Sequence, residues 1–91
     1  MQKRVILKIY GLIQGVFFRD FVRTKAKEFG ITGWVKNESD GTVVIIAEGE
    51  YQNLEKLIEM CYKGPPLAKV KKIQISWESP TKEFKDFEIV Y

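Results

Sequence analysis

Apolar and polar positions divide the chain into segments that alternate between two periods. Val5, Leu7 and Ile9 alternate with Ile6, Lys8 and Tyr10, the two-residue period of a strand with one strongly apolar face. From about Arg19 to Phe29 the period lengthens. Apolar residues recur at Phe18, Val22, Ala26 and Phe29, with Phe21 widening the stripe, which predicts an amphipathic helix closed by Gly30. Ile31 to Asn37 reads as a second strand, and Glu38-Ser39-Asp40-Gly41 as the hairpin turn that Asp-Gly favours between β-rich runs. Thr42 to Glu48 is apolar on both faces, as a central strand tends to be. Leu54, Leu57, Ile58 and Cys61 fall at i, i+3, i+4 and i+7, a second amphipathic helix stopped by Gly64-Pro65-Pro66. Val70 to Trp77 is a fourth strand with Ile73, Ile75 and Trp77 on one face. Ser79 to Lys85 is a polar connection, and Phe84 to Tyr91 a short fifth strand.

The order is β-α-β-β-α-β with a terminal strand added. Two β-α-β halves joined by a hairpin predict an α+β fold, the ferredoxin-like two-layer sandwich, with both helices on one face of an antiparallel-rich sheet. Ninety-one residues suffice for one such domain, spanning 1–91. Strands one and two should run parallel, joined through the first helix by a right-handed crossover. Their carboxyl ends then share one edge of the sheet. The segment leaving the first end is Gly11 to Arg19, and Asn37 closes the second, so topology alone brings these two together.

Composition narrows the chemistry available there. The chain has no histidine, which removes the commonest general base, the commonest metal ligand and every Ser/His or Cys/His pair. Its only cysteine, Cys61, can form neither an internal disulfide nor a thiolate metal site by itself, and its spacing marks it as a core position. A net charge of +3 suits an anionic small molecule and falls short of a nucleic-acid footprint. No apolar run reaches membrane-spanning length, and no cleavage-site pattern follows the amino terminus. The expectation is a cytoplasmic monomer that binds neither nucleic acid nor membrane.

Gly11-Leu12-Ile13-Gln14-Gly15-Val16-Phe17-Phe18-Arg19 places two glycines and an arginine between a strand and a helix. Such a loop can turn its main-chain N–H groups toward an anion, and an arginine adds a fixed charge beside them. A helix start disfavours a cation, so Arg19 there is itself a sign of an anionic ligand. The candidate groups are thus the amides of Gly15, Val16, Phe17, Phe18 and Arg19, the Arg19 guanidinium and Asn37. None is a nucleophile or a strong base. Cleaving an ordinary phosphate ester needs help for its leaving group. An acyl phosphate expels a carboxylate, whose conjugate acid has a pKa of about 4 and departs unprotonated. Amide donors, one arginine and one carboxamide to orient a water could suffice for that reaction, because phosphoryl transfer is mostly positioning and electrostatics.

Gly11-x-Ile13-Gln14-Gly15-Val16-x-Phe18-Arg19 resembles the acylphosphatase signature, departing from it only in having isoleucine for valine at position 13. Gly33-Trp34-Val35-Lys36-Asn37-x-x-Asp40-Gly41-Thr42-Val43 is similar to the family's second signature, and Gly64-Pro65-Pro66-Leu67-Ala68-x-Val70 to a stretch common in its microbial members. The resemblance spans essentially the whole chain. It implies an acyl phosphate as substrate, inorganic phosphate as product and competitor, and neither metal nor organic cofactor. It implies Arg19 as the phosphate-binding arginine, Asn37 as the residue orienting the attacking water, and the Gly15 to Arg19 amides as the phosphate cradle. Gly11 and Gln14 are expected to shape the loop. The carboxylate of Tyr91 is expected to steady Arg19, as a terminal tyrosine does in some members.

Two other readings use the same fold. A non-catalytic module binding an anion or RNA would display aromatic residues on its sheet. The third strand, Thr-Val-Val-Ile-Ile-Ala-Glu, carries none. The acylphosphatase-like portion of a larger carbamoyl-transferring maturation factor is the other reading. The chain's end at Tyr91 makes a stand-alone enzyme the expectation.

Overall fold

The computed structural model describes residues 1–91. The elements follow the expected order: β1 (Gln2–Leu12), α1 (Phe18–Glu28), β2 (Thr32–Asn37), β3 (Val43–Glu50), α2 (Tyr51–Lys63), β4 (Lys69–Glu78) and β5 (Phe87–Val90). They form one five-stranded sheet in the order β4-β1-β3-β2-β5. β3 is antiparallel to both β1 and β2, so those two strands run parallel with β3 between them. β3 is thus the middle strand, in keeping with its apolar residues on both faces. This is the ferredoxin-like sandwich that the element order predicted.

The alternation in each strand explains the register. Val35 pairs with Ile45, Ile45 with Leu7 and Leu7 with Ile75, so one apolar row crosses β2, β3, β1 and β4. Its inner members point to the helices and are fully buried. α1 adds Phe18, Val22 and Ala26, and α2 adds Leu54, Leu57, Ile58 and Cys61, to the same core. Burial pushes the Cys61 thiol up to about 12, so it stays protonated and inert. On β4 the expected apolar face thins toward the sheet edge. Ile73 is buried, whereas Ile75 and Trp77 are 41% and 39% exposed, because no element lies beyond this edge strand to cover them.

Two boundaries differ from the sequence reading. β1 runs on to Leu12 instead of stopping at Tyr10. Its register against β4 shifts between Tyr10 and Gly11, and a Cβ at Gly11 would overlap the Lys69 carbonyl, so glycine lets the strand continue through a bulge. β5 begins only at Phe87. β4 and β5 occupy opposite edges of the sheet, so the chain between them must cross the open face, and residues 79–86 are spent on that crossing. The crossing is tied down at Glu48, whose carboxylate accepts the Thr81 and Lys82 amides (2.8 and 2.9 Å), the Thr81 hydroxyl and the Arg4 guanidinium.

Candidate active site

The segment after β1 is held from behind and open in front. Ile13 and Phe18 insert their side chains into the core and pin the two ends of the loop. Between them, Gly15 (φ 75°) and Phe17 (φ 65°) adopt left-handed conformations. At Phe17 this costs about 1–2 kcal/mol relative to an ordinary conformation. Left-handed residues within a tight turn bring successive N–H groups to one concave side. The amides of Gly15, Val16, Phe17, Phe18 and Arg19 donate to no acceptor in the protein. Phe17 caps α1 without a side-chain hydrogen bond, so the positive end of the helix adds to this unclaimed donor set.

Gln14 sets the loop against the hairpin. Its Nε2 donates to the carbonyls of Glu38 (2.7 Å) and Thr42 (3.0 Å), the first and last residues of the turn that follows Asn37. That turn is stiff in its own right. Asp40 Oδ1 accepts both the amide and the hydroxyl of Thr42, and Lys8 pairs with its other oxygen at 3.4 Å. These donors, the Thr42 hydroxyl foremost, hold the Asp40 carboxyl at about 2. Asn37 therefore sits at the end of β2 between a rigid turn and the loop. Its side-chain Oδ1 is buried and has no hydrogen-bond partner.

One cavity of about 380 Å³ joins these parts. Gly15, Phe17, Phe18, Arg19 and Asn37 line it together. Element order alone predicted that meeting of the loop and Asn37. Val16 does not line the cavity, and Gly11 and Gln14 act from behind it. Arg19 forms no ion pair; its guanidinium lies over the ring of Tyr91, 5.0 Å from the centroid. This corrects the expected carboxylate contact: Tyr91 meets Arg19 through its ring, a cation–π arrangement that fixes the guanidinium plane without neutralising its charge. The sequence reading missed Asp20, Arg23 and Ile89, which also line the cavity. Arg23 lies four residues after Arg19 on α1, a spacing that puts two helical residues on one face. No group of three or more potential metal-ligating side chains is assembled anywhere in the protein.

The arrangement offers anion binding through amides and guanidinium, with a carboxamide beside it. The acylphosphatase family profile matches residues 5–89. The chain belongs to the acylphosphatase family. An acylphosphatase from Pelotomaculum thermopropionicum is 41% identical over 88 residues, 97% of this chain and 96% of that one. The crystal structure of an acylphosphatase from Bacillus subtilis superposes with a TM-score of 0.95 at 36% identity, covering both chains completely. Full-length HypF, solved in a phosphate- and nucleotide-bound form, contains a similar unit with a TM-score of 0.90 at 36% identity, covering all of this chain and 12% of that one.

Proposed function

We propose that this acylphosphatase holds the phosphoryl group of its substrate with the Gly15 to Arg19 amides and the Arg19 guanidinium, while Asn37 orients the attacking water. Hydrolysis of an acyl phosphate gives a carboxylate and inorganic phosphate. The water oxygen bonds to phosphorus, the bond from phosphorus to the acyl oxygen breaks, and the carboxylate departs with the electron pair. The proton lost by water passes to phosphate or solvent. The leaving group needs no acid, which suits a cavity whose only carboxylate side chain, Asp20, is paired with Arg23. Fixed N–H donors and one arginine match the charge spread over the equatorial oxygens, the largest contribution that a site without bases can make.

The observation that carries this reading is the single cavity lined by both Arg19 and Asn37, where the amides of four lining residues, Gly15, Phe17, Phe18 and Arg19, are without protein partners. A water held by the Asn37 carboxamide would stand beside the bound phosphoryl group. Gln14 and Gly11 support the loop, and the Tyr91 ring supports Arg19. The proposal extends to a single catalytic domain over residues 1–91 that acts as a cytoplasmic monomer on a small molecule. It assigns no role to a cofactor, a nucleic acid or a membrane. No helix is long and apolar enough to cross a membrane.

The test combines turnover of a generic acyl phosphate with binding of inorganic phosphate. Asn37→Ala should lower kcat by about 10²-fold, the scale of a lost transition-state donor, with phosphate binding largely kept. Loss of phosphate binding as severe as the loss of turnover, or turnover at the wild-type level, would remove Asn37 from the proposed role.

A further inference from the structure

The cavity is larger than its phosphoryl group requires. A water molecule's share of liquid volume is about 30 Å³, and a phosphoryl group fills a few such volumes. Much of the 380 Å³ therefore remains for the acyl part of the substrate. Apart from Arg19, Asn37 and the Tyr91 that lies against Arg19, the polar side chains on the cavity wall are Asp20 and Arg23.

Building on the roles given to Arg19 and Asn37, we propose that Arg23 is a specificity-determining residue that binds a second anionic group, a carboxylate or phosphate, carried by the acyl part of the substrate. The chain has three arginines, and two of them line this cavity; no lysine does. A guanidinium presents five N–H donors in a fork that matches carboxylate and phosphate oxygens. Asp20 engages Arg23 through one nitrogen, Nη2 to Oδ1 at 2.6 Å, and leaves the rest of the fork free. Arg23 and Asp20 are 42% and 60% exposed, so the pair stands at the cavity mouth within reach of an incoming ligand. Asp20 fixes the direction of Arg23 and offsets its charge. An isolated Asp20 in that position would repel the phosphoryl group, and Arg23 prevents this. A neutral acyl chain gains little from this pair, whereas an acyl chain ending in an anion gains charged hydrogen bonds.

Succinyl phosphate and butyryl phosphate test the idea, because their four-carbon acyl groups differ in ending on a carboxylate or a methyl group. Wild-type protein should show the higher kcat/KM with succinyl phosphate. Arg23→Gln should lower the succinyl-to-butyryl ratio about tenfold; the Asp20 it leaves unpaired weakens both substrates and inorganic phosphate alike, so the ratio isolates the second anion. Arg23→Lys should restore part of the ratio, and Asp20→Asn should raise it by freeing the guanidinium. An unchanged ratio in Arg23→Gln, or an equal fall for both substrates with the protein folded by circular dichroism, would overturn the proposal. A wild-type protein active on both substrates and insensitive to Asn37→Ala would instead overturn the catalytic assignment and leave the Arg23 test standing. The bis-anionic source is resolved by repeating the ratio with an acyl phosphate that carries a second phosphate. A preference that Arg23→Gln removes for succinyl phosphate but not for that substrate assigns Arg23 to the carboxylate.

Discussion

At the end of the sheet where β1 begins and β3 finishes, Arg4 is surrounded by carboxylates. Its Nη1 donates to Glu48, Thr81 and Glu83 at 3.0 to 3.3 Å, its Nε lies 3.3 Å from Glu78, and the Phe84 ring lies beneath it. At the opposite end, where β1 finishes and β3 begins, Arg19 has no carboxylate partner and rests on an aromatic ring, beside main-chain amides that nothing in the protein uses. The buried polar side chains differ in the same way. Glu48 is 4% exposed and accepts three hydrogen bonds from the crossing chain in addition to Arg4, whereas the Asn37 Oδ1 accepts none. The Arg4 cluster, in which only the Arg4 Nε lacks a hydrogen bond and that atom has the Glu78 carboxylate 3.3 Å away, holds the fold together. A cluster left with surplus donors and an orphaned acceptor is complete only when a ligand is bound.

Exchanging the two arginines for glutamine would put this contrast to its hardest test. Arg19→Gln should lower kcat/KM by about 10³-fold or more, the scale of an arginine acting on a phosphoryl transition state, and should remove phosphate binding. Its melting temperature should stay close to wild type. Arg4→Gln should do the reverse, leaving the folded enzyme's activity near wild type and lowering stability. The comparison fails if Arg19→Gln unfolds the protein or if Arg4→Gln loses turnover while folded.

Acid provides the next largest effect, and it acts on the closed cluster. Burial alone would raise the Glu48 pKa, but the Thr81 and Lys82 amides, with Arg4 and the Thr81 hydroxyl, outweigh it and hold the carboxyl below its ordinary value. A carboxylate depressed in the folded state stabilises the fold fully above its unfolded pKa of about 4, and that contribution is lost as pH falls through the folded value. Asp40, held at about 2, extends the window of loss from about pH 4 down to about 2. Urea unfolding followed from pH 7 to pH 2 should show stability falling across that range. Glu48→Gln should be about 1–3 kcal/mol less stable at pH 7 and show a shallower fall. A fall as steep as that of wild type would mean that Glu48 does not link the crossing chain to the sheet.

How far these clusters were legible beforehand follows from the kind of signal each leaves. The strands and helices announced themselves through periods of 2 and 3.6, and their order alone brought Arg19 and Asn37 to one edge. The crossing chain left no such mark, since Ser79 to Lys85 read only as a polar connection and a loop that spans a sheet has no period. β5 was drawn too long for the same reason, because Phe84 looks like the start of its alternation but packs against Arg4. Glu48 hid inside a strand that otherwise reads as wholly apolar. Arg23 could have been found, since four residues separate it from Arg19, but a charged residue at that spacing is also what an exposed helix face contains. The Tyr91 contact was predicted with the right residue and the wrong group. Which atom of a terminal residue meets a guanidinium depends on the path of the last strand, and pattern does not encode that path.

Gln14 tests the boundary between the two kinds of cluster, because it is satisfied itself while it serves the open site. Both of its donated hydrogen bonds reach carbonyls of the hairpin turn, 24 and 28 residues away in sequence, and no local motif could have revealed them. If their purpose is to fix Asn37 relative to the phosphate loop, Gln14→Ala should affect catalysis more than folding. Two lost neutral hydrogen bonds at a half-buried site should cost about 1–2 kcal/mol of stability. Turnover should fall about tenfold, since a small displacement of an orienting group is enough to misplace the attacking water. Phosphate affinity should change little, because the loop amides and Arg19 remain on their own side of the cavity. Gln14→Glu sharpens the result. Its carboxylate would face two carbonyl oxygens and push the loop away from the hairpin, so its turnover should fall below that of the alanine variant. Equal turnover in both variants and the wild type would show that the loop and the hairpin hold their places without this tie.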